Sequence, residues 1–145
     1  MADLTITTTQ VGLADANTVT VRGTSGGAIT IGQVVSVNGS GQIVPTNGTD
    51  ATLGVNVVGI ALTNTTAANQ SVIYATAGNL LLGTTPALVT GETYMASGRT
   101  APVGGIDTVT DFDTSSAGTW YATVLGVAIS STVLKLGLLA SGQKR

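Results

Sequence analysis

The sequence predicts an all-β fold: a small β-barrel or tulip-like domain built from two related β-meanders, with an extended N-terminal arm. Three observations point there. Thr, Val, Ile and Gly dominate, and the first three are β-branched residues that suit a pleated surface. Short apolar runs alternate with Gly-containing turn signals, the pattern of many short strands. Helix signals are missing, since Glu92 is the single Glu and no i, i+3, i+4, i+7 apolar pattern is sustained.

The elements follow in chain order. Candidate strands are "LTITT" (4–8), "TVTVR" (18–22), "AITI" (28–31), "QVVSV" (33–37), "GQIV" (41–44) and "VNVVGIAL" (55–62). They continue with "QSVIYAT" (70–76), "NLLL" (79–82), "ETYMA" (92–96), "TWYATVLGVAI" (119–129) and "TVLKLGLL" (132–139). Asn38-Gly39, Asn47-Gly48, Gly78-Asn79 and Ser97-Gly98 lie between them and offer the positive φ of tight hairpins.

One phrase is written twice, so the domain (21–145) holds pseudo-repeats at about 28–83 and 87–142. "ITIGQVVSVNGSGQIVP", "VVGIALTN" and "QSVIYATAGNL" are answered by "LVTGETYMASGRTAPV", "TVLGVAIS" and "TVLKLGLLASGQ". Gly32-Gln33 aligns with Gly91-Glu92, Gly41-Gln42 with Gly98-Arg99, and Pro45 with Pro102. Gly59-Ile60-Ala61 aligns with Gly126-Val127-Ala128, and Gly78 with Gly142. Two copies are too few for a solenoid, so a pair of meanders closing one barrel is expected, each half covering the sheet edge of the other. Residues 1–20 lie outside the repeat and read as an extended arm or as an edge strand of the barrel. As an arm, "DLTITTT" could add to the sheet edge of another chain, with Leu4 and Ile6 on one face as anchors.

Composition narrows the function. The 145 residues contain no Cys and no His, which removes Ser-His-Asp and Cys-His catalysis and the usual zinc sites. Charged residues are 8% against roughly 25% in an ordinary soluble domain. With mean hydropathy at +0.43, such a surface calls for cover in an oligomer or on a large partner. A net charge of −2, with only Lys144 and Arg145 adjacent among the basic residues, gives no footprint for nucleic acid. No apolar run approaches the roughly 20 residues of a membrane-spanning helix, and "MADLTITTT" lacks the basic n-region of a signal peptide, so cytoplasmic synthesis is expected.

Chemistry-bearing motifs are sparse. "GSGQIV" (39–44) has Val44 where a dinucleotide loop needs its third Gly, and "GTSGGAITIG" lacks the Lys of a phosphate loop. Asp107, Asp111 and Asp113 are the densest set of oxygen ligands, but their spacing is not that of an EF-hand and an exposed loop is expected. A glycosidase pair of Glu92 with one of them lacks any sign of a cleft. Trp120 and Tyr121 should point to opposite faces of one strand, one into the core and the other outward or to an interface. The four N-x-S/T sequons are expected to be coincidental in a chain rich in Asn, Ser and Thr. No catalytic residue, cofactor or metal ligand is assigned.

"ITIGQVVSVNGSGQIVP" followed by "VVGIALTNTTAANQSVIYATAGNL" resembles the capsid decoration, or cement, proteins of tailed bacteriophages, over residues 28–142. The resemblance implies a non-enzymatic virion structural protein: a homotrimer on the outer capsid surface, bridging neighbouring major capsid proteins to stabilise the head. It also implies synthesis in the bacterial host cytoplasm and an N-terminal arm reaching onto the shell. Leu4, Ile6, Val11 and Leu13 are the candidate capsid contacts. The alternative is a phage fibre or host-surface receptor-binding β-domain, for which an exposed ligand site and a fibre segment would be expected.

Overall fold

The computed structural model describes residues 4–47, 50, 53–54, 56–83, 87–99, 103–109, 112 and 120–144, and the side chains of these up to Leu139. The protein is nearly all β and contains a closed five-stranded barrel. Among the described residues a 3-10 turn, Thr8–Gln10, precedes ten strands: β1 Gly12–Leu13, β2 Val19–Gly26, β3 Val34–Val37, β4 Ile43–Pro45, β5 Val57–Ala61, β6 Ala68–Leu81, β7 Thr93–Ala96, β8 Ile106–Thr108, β9 Tyr121–Ala128 and β10 Val133–Lys144.

The sheet runs β2-β4-β3-β5-β6-β10-β9-β7-β8, and a further β2–β6 pairing closes the first five strands into the barrel. All five closing strands lie within residues 19–81. This differs from the expectation that both halves are needed for one closure. The reason is β2, which pairs antiparallel with β6 from Val19 to Gly26 and meets β4 in parallel at Ser25 and Ile43.

Two runs of strands share one topology. β4-β3-β5-β6 and β8-β7-β9-β10 have the same order and the same irregularity. Val35 pairs Gly59 and Ser36 pairs Val57, skipping Val58; Tyr94 pairs Gly126 and Met95 pairs Val124, skipping Leu125. Backbone bonds repeat as well. Gly32 N–H donates to Ala61 O at 2.9 Å and Gly91 N–H to Ala128 O at 2.8 Å. Ala61 N–H donates to Gln33 O at 2.9 Å and Ala128 N–H to Glu92 O at 3.0 Å. Gly32 and Gly91 share a positive φ of 90° and 87°, which only Gly adopts without strain. Gly59 and Gly126 permit close strand approach: a Cβ would lie 2.1 Å from Ala75 O at Gly59, and 1.9 Å from Lys135 O at Gly126.

Three sequence alignments shift. In the hairpin ladders Ile43 opposes Val37 and Ile106 opposes Ala96, so Ile43 corresponds to Ile106 and Pro45 to Thr108. Gly41 therefore matches Gly104, both at positive φ, and not Gly98. Pro102 lies outside the described residues. Gly78 is no hairpin turn. It sits inside β6 at φ +88°, and the two segments expected on either side of it form one strand. Its ladder equivalent is Leu138 rather than Gly142, because Ala61 pairs Tyr74 and Ala128 pairs Leu134.

β6 serves both halves. Its first part pairs β5 and β2, and its last part, Ala77–Leu81, pairs β10. Since Val21 pairs Tyr74, and Leu80 pairs Leu134, Leu80 stands to the second half as Val21 does to the first. The unit written twice thus has five strands, and β6 ends one unit and begins the next.

The core follows this plan. Ile29, Val35, Ile43, Ala61, Val72 and Tyr74 fill the barrel. Their second-half counterparts Leu88, Tyr94, Ile106, Ala128 and Leu134 belong to a larger cluster that also takes Val34, Val57, Ile60 and Ala75 from the barrel's outer wall. Each large aliphatic residue removed from water contributes about 1.5–3 kcal/mol, so this seam between halves is the main source of cohesion. Met95, Phe112 and Trp120 form a third cluster on the opposite face of β7 and β9.

Candidate interaction surface

The N-terminal segment is docked on its own chain. Leu4 N–H donates to Ile106 O at 2.9 Å, on the terminal strand β8 of the sheet. Leu4, Ile6 and Val11 are half-buried against the seam cluster. Ile6 Cγ2 occupies the space a Cβ on Gly32 would need, and Gln10 lies similarly against Gly83. β1 pairs β6, Gly12 with Leu81 and Leu13 with Leu80. The Asp15–Thr18 turn is tied to the same strand: Ala14 N–H and Thr18 Oγ1 both donate to Asn79 O, and Asn79 Nδ2 donates to Asp15 Oδ2. Of the four candidate contacts only Leu13 is exposed, at 52%. "LTITT" forms no strand, because residues 8–10 turn as a 3-10 helix and carry the chain across the seam.

Among the described residues, two apolar areas are open to solvent. One comprises Leu13, Val19 and Val21 along β1 and β2. The other comprises Val89, Val127 and Ile129 beside Gly91, with Leu139 on β10.

Arg99, Asp107, Trp120 and Phe112 are linked by an ion pair and ring contacts. Asp107, buried on β8, accepts from Arg99 Nη1 at 2.9 Å. Arg99 also lies over the Trp120 ring, 5.2 Å from its centroid, and Trp120 meets Phe112 edge-on at 5.4 Å. The indole covers Gly98, where any Cβ would collide with it. Asp107 is therefore an ion-pair partner and not an exposed loop acid; Asp111 and Asp113 lie outside the described residues. Trp120 is buried and Tyr121 half-buried. Burial raises the Tyr74 phenol above its ordinary value. Among the described residues no three His, Cys, Asp or Glu side chains gather as a metal site, and no helix is long and apolar enough to cross a membrane.

The Arg99–Asp107 pair is the contact that sequence reasoning missed. The two lie eight residues apart around a hairpin, and the aligned positions in the first half carry no charge. Neither a family model nor a curated protein matches the chain.

Proposed function

We propose that this protein is a non-enzymatic capsid decoration protein, a homotrimer on the outer surface of a bacteriophage head that bridges neighbouring major capsid proteins. The observation that carries this reading is the pair of open apolar areas on a charge-poor, glycine-braced β body. Such a body offers wide contact surface and rigid strand edges, which is what binding to a repetitive shell requires. Anything that binds the folded and not the unfolded chain stabilises it by mass action, so shell and cement protein would stabilise each other. The test is co-sedimentation with capsid shells assembled without the protein. The reading predicts saturable binding at a fixed ratio of copies per capsid subunit and a rise in the shells' melting temperature. Unsaturable or absent binding would overturn it.

A further inference from the structure

The two five-strand units treat one edge differently. In the second unit the outer edge of the first strand is covered: Leu13 pairs Leu80, Gly12 pairs Leu81, and Asn79 O receives Ala14 N–H and Thr18 Oγ1. Leu80 is fully buried. In the first unit the equivalent strand is β2, with Val21 in the place of Leu80. Among the described residues the only partner on the outer side of β2 is Ile43, opposite Ser25. Val19 to Arg22 are all exposed, Val19 at 51% and Val21 at 40%. A strand edge with bare N–H and C=O groups and two exposed valines is a template for a further strand. The molecule itself shows what fills such an edge: a short extended segment, antiparallel, with an aliphatic side chain beside the equivalent of Val21. The chain's own N-terminal segment is already spent on β6 and the seam.

We propose that the outer edge of β2, Val19 to Gly23, accepts an extended, uncharged strand of the capsid surface, running antiparallel to β2; this rests on the capsid reading. Backbone hydrogen bonds supply the attachment, and the valines select an aliphatic neighbour over a charged one.

The test combines binding to capsid shells assembled without the protein with amide hydrogen exchange. Val19→Lys/Val21→Lys changes only exposed side chains and places charge on the edge. Val127→Lys/Ile129→Lys alters the other open apolar area as a control. The expected result is at least a tenfold loss of affinity for the β2 variant, about 1.4 kcal/mol, with the control close to wild type. In wild type the outward amides of Val19–Gly23 should exchange more slowly on the shell than free. If wild type does not bind shells, the capsid reading and this proposal fall together. If wild type binds, the β2 variant binds equally well and those amides stay fast, the proposal alone is overturned. Loss of self-association with shell binding intact would assign the edge to a second copy of the chain and also overturn it.

Discussion

In the first half the row Val34, Ile60 and Ala75 lies side by side across three strands, and each residue is wholly buried. In the second half the same register holds Thr93, Val127 and Lys135, with Val127 40% exposed and Lys135 in solvent. Backbone hydrogen bonds and paired glycines are common to both rows; the side chains are not. The scaffold is therefore fixed by positions where the backbone must turn or approach closely. The row is free to follow its surroundings, wholly apolar where the second half covers it and carrying Thr93 and Lys135 beside an exposed Val127 in the second half.

The sharpest way to break this comparison is to place a charge in each row. Ile60→Lys would bury an ammonium in the seam and should cost about 4 kcal/mol or prevent folding. Val127→Lys, at the matching position, should stay within about 0.5 kcal/mol of wild type. Urea unfolding of the pair gives the numbers, and equal losses would contradict the assignment of one row to the seam.

Removing residues 1–11 comes next. Leu4, Ile6 and Val11 pack on the seam cluster, so truncation should lower stability by about 3 kcal/mol in a denaturant titration. An unchanged midpoint would mean that the segment is a free arm. The paired glycines refine this test. Gly32→Ala and Gly91→Ala both force Ala to a positive φ, at about 1 kcal/mol each. Only Gly32 is covered, by Ile6, whereas nothing lies within 4 Å of a Cβ at Gly91. Gly32→Ala should therefore be the worse by about 1 kcal/mol, and the difference should vanish in the truncated chain.

Much of this was legible in sequence. Gly32 and Gly91 open equivalent strands, and Gly59 and Gly126 mark equivalent close approaches, because backbone demands can be met by few residue types. The abundance of β-branched residues in short runs between Gly-containing turns likewise points to the all-β class. What was hidden depended on loop length and distant contacts. Gly78-Asn79 has the composition of a hairpin turn, yet the pairing of β1, Thr18 and β10 on both sides keeps β6 continuous. The alignment of Gly41-Gln42 with Gly98-Arg99 fails because the second hairpin loop is longer than the first, 97–105 against 38–42. The docking of Ile6 on Gly32 and the pairing of Arg99 with Asp107 join residues whose own neighbourhoods give no sign of it.

The smallest expected effect concerns the barrel interior. Burial raises the Tyr74 phenol above about 10, so the folded chain holds that proton more tightly than the unfolded chain. Its contribution is complete below pH 10 and is lost as pH rises through the folded value. Tyr74→Phe should lack this alkaline loss in stability measured from pH 8 to 11. An identical decline in both proteins would remove Tyr74 as its source.

The most direct measurement of the central claim, that one unit is built twice and only its second copy has a covered outer edge, is amide hydrogen exchange of the free protein. The account predicts matched slow exchange at Gly32 and Gly91 and at Ala61 and Ala128, whose bonds coincide in the two halves. It predicts slow amides at both Leu80 and Leu81, where β6 lies between β10 and β1, and fast alternate amides in Val19–Gly23, paired on one side only. Uniform protection along Val19–Gly23, or unequal protection within the matched pairs, would contradict it.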